Sequence, residues 1–184
     1  LDVSYRGGKT IVGKNTYVVA PSVVDNVDNL PEQYGIGHDQ FMAANPQLTS
    51  GKSLQAGEIF FIPERSILPK AIPDNTIVIN VADKKLYYYH TASSTLYVFP
   101  VGIGRAHTPT PLGNMRIIHK RYKPTWNVTK EGLEEARNMG YVDHPKTIPP
   151  GPNNPLGDYA IHLSKPNYLI HSTNEPTKIG TQNT

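Results

Sequence analysis

Glycine and proline interrupt this chain often enough to limit the length of its secondary-structure elements. The 184 residues include 15 glycines and 17 prolines, together about 17% where an average protein has roughly 12%. Between these breaks lie short runs of β-branched and aromatic residues, which are typical of strands. No run approaches the ~20 apolar residues of a membrane span. The pattern therefore predicts many turns and short elements rather than a bundle of long helices.

Cysteine is absent and the formal net charge is +3. Within these residues there can be no disulfide, no thiolate zinc site and no cysteine nucleophile. The densest basic cluster is His119-Lys120-Arg121-Tyr122-Lys123, which we interpret as a solvated strand end, because nucleic-acid binding needs a basic stripe with stacking aromatics. The chain begins at Leu1 without Met and without a basic-then-apolar signal, so we expect a processed or trimmed chain.

The first third of the chain predicts a polar leader over residues 1–13 and a small α+β module over residues 14–64. Pro31 should shift or break the first helix of this module. The module should contain strand, helix, helix and strand in this order: Thr16–Ala20, Asp25–Tyr34, a segment around Phe41, and Glu58–Ile62.

A mainly β domain is predicted over residues 76–184, after a linker over residues 65–75. The proline-rich segment 123–157 has one helical piece near Glu131–Met139, and a connection this long inside a domain is usually a lid or a binding loop. The strands of this domain are expected at Thr76–Val81, Leu86–His90, Thr95–Val101, Met115–His119, Tyr159–Ser164 and Tyr168–Ser172.

The pair Gly102 and Gly104 follows a predicted strand and could suggest a dinucleotide-binding loop. That fingerprint needs a third glycine and a helix N-terminus for the pyrophosphate. Here Thr108-Pro109-Thr110-Pro111 follows instead, so a β-turn is the better interpretation.

His162 and His171 lie on the two strands of the last predicted hairpin. A three-residue loop over Lys165–Asn167 would place Ile161 opposite His171, with the imidazole pointing inward and away from His162. A different loop length would place the two histidines opposite each other. We favour the first register, in which burial lowers the imidazole pKa and suits a general base. A structural core histidine and a metal pair are the alternatives.

Four segments, taken in chain order, resemble the L,D-transpeptidase family (the YkuD, or ErfK/YbiS, domain) over roughly residues 74–184. The most specific is His171-Ser172-Thr173-Asn174-Glu175-Pro176 with Ile179-Gly180. The other three are Pro100–Gly104 with Thr108-Pro109-Thr110-Pro111, Tyr122-Lys123-Pro124-Thr125-Trp126, and Asn154-Pro155-Leu156-Gly157 with Tyr159-Ala160.

The resemblance implies a β-sandwich enzyme of the bacterial cell wall, placed in the periplasm or cell envelope. A cysteine thiolate would attack the L,D-peptide bond of a peptidoglycan tetrapeptide stem, and an amine acceptor, which could be a lipoprotein lysine, would resolve the thioester. His171 would be the base and the Ser172 carbonyl would orient it. The implied substrate contacts are Trp126, Tyr159, His162 and Asn174; no metal or cofactor is implied. The family's Ser-His-Gly-Cys motif should begin about where this chain stops, at Thr184, so we expect these 184 residues alone to be inactive.

The first fifty residues are similar to a LysM module, in their strand–helix–helix–strand order and in Ala44-Asn45-Pro46 and Ile59-Phe60-Phe61-Ile62-Pro63. Two alternatives to an enzyme of this family remain. One is a non-catalytic peptidoglycan-binding protein, and the other is a metal-dependent hydrolase built on His162 and His171.

Overall fold

The computed structural model describes residues 2–4 and 11–182. More of these residues lie in strands than in helices, which agrees with the prediction of a mainly β chain. The chain divides into two compact units. The first comprises Leu1–Pro111 with Thr177–Thr184, and the second comprises Leu112–Pro176. Residue 1, residues 5–10 of the predicted leader, and the last two residues lie outside the described residues.

The elements of the first unit are short, as the glycine and proline content predicts. Its strands are β1 (Asp2–Ser4), β2 (Ile11–Val12), β3 (Thr16–Val19), β4 (Ile59–Ile62), β5 (Ser66–Ile67), β6 (Ile77–Asn80), β7 (Lys85–His90) and β8 (Thr95–Pro100). Its helices are α1 (Leu30–Gln33) and α2 (His38–Ala44), and single 3-10 turns occupy Val27–Asn29, Thr91–Ser93 and Pro176–Lys178, the last crossing into this unit from the second.

An antiparallel sheet in the order β1-β8-β7-β6 has the most strands of the sheets described in the first unit. The predicted β6–β7 hairpin is confirmed, with Ile79 opposite Leu86. Asp2 lies opposite Tyr97 of β8, so Asp2–Ser4, at the start of the predicted leader over residues 1–13, forms a strand. A run of three residues is too short to be recognised as a strand from its pattern. Its pairing partner is more than ninety positions away, so it gives no local signal either.

Residues 16–62 form the predicted strand–helix–helix–strand order. Strands β3 and β4 pair antiparallel with Tyr17 opposite Phe61, and the buried Phe41 ring packs edge-on against Phe60. Pro31 lies in the first turn of α1, where its missing N–H removes no helical hydrogen bond. The helix therefore begins at Leu30 rather than at the predicted Asp25, which is the shift that Pro31 was expected to cause, and it is not broken.

A buried asparagine joins the second helix to the closing strand of this βααβ segment. The Asn45 side chain is fully buried and donates from Nδ2 to the carbonyls of Phe41 (2.9 Å) and Phe61 (2.8 Å). Its Oδ1 accepts from the Phe61 N–H at 2.6 Å. Because every polar atom of the amide is bonded, its burial carries no desolvation penalty of an unpaired group.

The predicted linker over residues 65–75 is packed into the first unit. Strand β5 pairs with β2, with Ile67 opposite Ile11. Leu68 and Ile72 are buried in one apolar cluster with Tyr87. Leu68 and Ile72 are four residues apart but belong to no helical pattern, so no periodic signal in the sequence predicts their burial.

The second unit contains a helix and two small sheets. Its strands are β9 (Ile117–Tyr122), β10 (Trp126–Asn127), β11 (Thr147–Ile148), β12 (Tyr159–Leu163) and β13 (Leu169–His171), and its helix is α3 (Lys130–Asn138). The helix begins at Thr129, whose Oγ1 accepts from the Gly132 N–H at 3.1 Å, as a typical N-cap does. The sheets have the orders β13-β12-β9 and β10-β11.

Candidate active site

The terminal hairpin has a register that differs by one residue from the predicted one. His171 lies opposite Ala160, and Leu169 lies opposite His162. The reason is Ser164, which the prediction paired with Tyr168. Its N–H donates instead to the Arg116 carbonyl (2.8 Å) and its Oγ accepts from the Arg116 N–H (3.0 Å). Ser164 therefore belongs to the loop, and the closing pair of the hairpin is Leu163 with Tyr168.

This register changes where the two histidines point. Directly opposed residues share a face of a sheet, and so do residues two apart on one strand. His171 therefore shares a face with Ala160 and His162, so the prediction that it points away from His162 is wrong. The His171 side chain is exposed, so the expected burial among aliphatic side chains is also wrong.

The imidazole of His171 is held by the residue that follows it. Its Nδ1 lies 2.6 Å from the Ser172 carbonyl oxygen. A carbonyl can only accept, so Nδ1 carries the proton and Nε2 has a free lone pair. The arrangement leaves Nε2 able to accept a proton from a partner on the exposed side of the strand.

Ser172 is anchored on both its backbone and its side chain. Its N–H donates to the Tyr159 carbonyl (2.9 Å), and its Oγ accepts from the Tyr159 N–H (2.8 Å). The Oγ also donates to the Leu156 carbonyl at 3.1 Å. These bonds fix the peptide unit whose carbonyl holds the His171 ring.

Gly157 allows this approach between the end of the long segment and Ser172. It has φ +62°, and a Cβ there would lie 2.7 Å from Ser172 Oγ and 2.8 Å from the Thr173 nitrogen. Both the left-handed backbone and the close contact need glycine. Gly157 is in one of the motifs that carry the resemblance, although sequence reasoning gave it no role.

Asn154 organises the long segment 123–157 and was not among the predicted site residues. Its side chain is fully buried and donates from Nδ2 to the carbonyls of Pro124 (2.8 Å), Pro149 (3.2 Å) and Ile148 (3.3 Å). Its Oδ1 accepts from the Leu156 N–H at 2.9 Å. One amide thus joins the beginning of the segment, at Pro124, to its end, at Ile148 and Pro149. The Asn-Pro-Leu-Gly motif was the only feature of the sequence that pointed to Asn154.

Three of the four predicted substrate contacts lie in surroundings that differ from one another. Trp126 is half-buried in β10, with its ring edge-on to His144. Tyr159 is exposed (60%) and lies beside the Tyr122 ring, on the face of β12 opposite to His171. Asn174 donates from Nδ2 to the Pro152 carbonyl at 3.2 Å, which ties the turn after β13 to the long segment.

His162 stacks on His119 of the neighbouring strand. The two ring centroids are 4.0 Å apart with 20° between the planes. Desolvation, and then the charges of His119 and Arg121, lower the pKa of His162 below its usual value. The ring is therefore mostly neutral at pH 7.

Neither a metal-binding cluster nor a membrane-spanning helix is found in the part of the chain that the structure describes. Across residues 2–4 and 11–182 there is no group of three or more His, Asp or Glu side chains placed to hold a metal ion. The hydrolase alternative built on His162 and His171 thus has no third ligand there. No helix in the same residues is long and apolar enough to cross a membrane.

Comparison with known families matches residues 74–184 to the YkuD model, described as the L,D-transpeptidase catalytic domain. The match covers more than half of the chain and includes the anchored His171-Ser172 pair. This chain belongs to the L,D-transpeptidase family.

Several curated proteins are similar over most of the chain. The probable L,D-transpeptidase ErfK/SrfK of Escherichia coli K12 is 35% identical over 178 residues, which cover 94% of this chain and 55% of that protein. The probable L,D-transpeptidase YcfS of the same strain is 33% identical over 177 residues, covering 94% and 54%. The putative L,D-transpeptidase YkuD of Bacillus subtilis is 28% identical over 156 residues, covering 85% and 75%. The chain spans about half the length of the Escherichia coli relatives.

Proposed function

We propose that the complete protein is a peptidoglycan L,D-transpeptidase that works through a cysteine thioester. The observation that supports this most directly is the 2.6 Å contact between His171 Nδ1 and the Ser172 carbonyl in a chain of this family. A backbone carbonyl in this position can serve the imidazole as a carboxylate or amide does in other triads.

The proposed reaction has two steps, and His171 Nε2 carries the proton in both. In the first, Nε2 takes the thiol proton, the thiolate attacks the L,D-amide carbon of a tetrapeptide stem, and the proton passes to the nitrogen of the leaving D-Ala. In the second, an acceptor amine loses a proton to Nε2 and attacks the thioester. The C–S bond breaks and the cysteine recovers its proton. The acceptor is another stem peptide, a lipoprotein lysine or, in hydrolysis, water.

The remaining predicted residues enter as proposed contacts of the donor stem. We place Trp126 on the long segment that would cover the peptide, Asn174 in the turn that is bonded to this segment at Pro152, and His162 on the same sheet face as His171. Tyr159 contributes its backbone to Ser172, and its ring lies on the other face. We therefore propose Tyr159 as a peripheral contact rather than a neighbour of the reacting amide.

We further propose that the βααβ segment is a LysM-like module that binds glycan strands. Its support is the element order and the paired β3 and β4 strands. A peptidoglycan substrate would place the protein in the periplasm or cell envelope. The domain division that goes with this proposal is a module over residues 14–64 and a catalytic domain from residue 76.

The test is a D-Ala release assay on the complete gene product with a purified tetrapeptide stem. The expected result is stoichiometric formation of D-Ala and of a cross-linked or hydrolysed tripeptide product. No release above a reaction without enzyme would contradict the proposal.

The second candidate is a non-catalytic peptidoglycan-binding protein, favoured by the βααβ segment and by the absence of cysteine from these residues. It predicts retention on purified murein sacculi at moderate salt with no D-Ala release. Retention together with release would instead favour the enzyme.

A further inference from the structure

A row of three residues crosses the sheet of the second unit beside the candidate base. Ala160 lies opposite His171 on one side and opposite Arg121 on the other. The three side chains therefore share one face. Since neighbouring strands are about 4.8 Å apart, the backbones of His171 and Arg121 are separated by about 10 Å.

The next row on the same face holds the stacked histidine pair. His162 lies opposite Leu169 and His119. Arg121 and His119 are two residues apart on β9, so their side chains leave the strand on the same face as His162. Three nitrogen-bearing side chains thus stand together on one side of His171.

This face is accessible and has no counter-charge of its own. His171, Arg121 and His119 are exposed, and Ala160 between them is buried (1%), so the longer side chains rise above it. Among the residues that the structure describes, no carboxylate forms an ion pair with Arg121, His119 or His162. An exposed arginine without an acid partner can form a bidentate, charge-assisted pair with a carboxylate from a ligand.

We propose that Arg121, assisted by the N–H groups of His119 and His162, binds the terminal carboxylate of the donor peptide and selects donors that end in a free D-amino acid. This inference rests on the proposed function, because that carboxylate belongs to the D-Ala that leaves. In the donor, only one Cα separates the carboxylate from the scissile amide nitrogen. A carboxylate this close to the nitrogen that His171 protonates can be accommodated above Ala160, between His171 and the long side chain of Arg121.

The experiment compares two donors with the complete gene product: the tetrapeptide stem ending in D-Ala, and the same peptide ending in D-alaninamide. Release of D-Ala or D-alaninamide is measured by mass spectrometry. We expect KM to be about tenfold higher for the amide, which corresponds to the loss of one hydrogen bond to a charged group. The variant Arg121→Gln should raise KM about tenfold for the acid donor and leave KM for the amide within about twofold. Arg121→Lys should restore part of the preference, since it keeps the charge and loses the bidentate geometry.

The matched control is Lys120→Gln, which removes a cation from the same strand at a residue on the opposite face, where it lies opposite Ile161. It should leave both KM values unchanged. Equal KM for the two donors in the wild type, or an equal effect of Arg121→Gln on both donors, would overturn this inference while the proposed function stood. Release from neither donor would overturn the proposed function and this inference with it.

Discussion

The contact between His171 and the Ser172 carbonyl fixes a single imidazole tautomer. Because Nδ1 must donate, Nε2 is the only ring nitrogen that can take the proton of a nucleophile. The family resemblance predicted this pairing from sequence. The exposure of the ring could not be predicted in the same way, because it depends on a register set by Ser164 and Arg116, two residues outside the motif.

Replacing the base tests this assignment at a single side chain. His171→Gln keeps a polar side chain of similar size and removes the group that can carry a proton. D-Ala release by the complete protein should fall about 10³-fold or more in kcat. His90→Gln is the control, since His90 is an exposed histidine of the first unit bonded to Ser93. A His171→Gln protein with activity near that of the control would exclude His171 as the base.

Gly157 tests whether the position of Ser172 matters. In Gly157→Ala the new methyl would meet Ser172 Oγ at 2.7 Å, displacing the carbonyl that orients His171. We expect kcat to fall about 10–100-fold, as for other displacements of a positioning group. Gly140→Ala also has positive φ but has nothing within 4 Å, so it carries the backbone strain without the contact. If both variants lost the same activity, strain rather than the Ser172 contact would be the cause.

At the scale of elements, the short β-branched runs located eight of the thirteen described strands and missed five that are only two or three residues long. They also could not define the hairpin register. A shift of one residue moves every side chain of a strand to the other face. The predicted loop contained only Lys165–Asn167. In the structure Ser164 also belongs to the loop, because it is hydrogen-bonded to Arg116, which precedes β9. A partner 48 residues away in sequence gives no local signal, so this part of the site required the structure.

The stacked histidines predict a pH dependence of the β13-β12-β9 sheet. The pKa of His162 is lowered in the folded protein by desolvation and by the charges of His119 and Arg121. Between that lowered value and about 6.5, the unfolded chain binds more protons than the folded one. The stabilising contribution is therefore fully present above pH 6.5 and is lost as the pH falls.

This dependence can be measured as the difference between the Tm at pH 7.5 and at pH 5. In His162→Gln the difference should be smaller than in the wild type by about 2 °C, since the ring is largely solvent-screened. His119→Gln should reduce the difference by less, because it removes one of the charges that lower the His162 pKa and leaves desolvation and the charge of Arg121. An unchanged difference in His162→Gln would contradict this pH dependence.

At the scale of the whole chain, the sequence identified a βααβ segment and a mainly β remainder, but not how residues distant in sequence join within the first unit. The His38 N–H donates to the Ile179 carbonyl at 2.9 Å, and the Ile103 N–H donates to the Thr181 carbonyl at 3.0 Å. Asp39 of α2 forms an ion pair with Lys84. The Ile-Gly motif is thus held next to the N-terminus of α2, which no pattern in either segment could have predicted.

Gly180 is the point at which this packing is tightest. It has φ +85°, and a Cβ would lie 2.3 Å from the Gly37 Cα. Gly180→Ala should therefore lower the free energy of unfolding by about 2 kcal/mol or more, and lower the Tm accordingly. Gly113→Ala has positive φ with open space around it and should cost only the backbone strain. Equal melting temperatures for the two variants would contradict the contact.

The central claim is that the complete protein forms a thioester with the donor stem, with His171 as the base. The most direct measurement is the intact mass of the complete protein after brief incubation with the tetrapeptide stem and no amine acceptor. The account predicts an adduct equal to the stem tripeptide less one water, formed with release of D-Ala, and absent from the His171→Gln variant. An unchanged mass, with the tetrapeptide recovered intact, would contradict it.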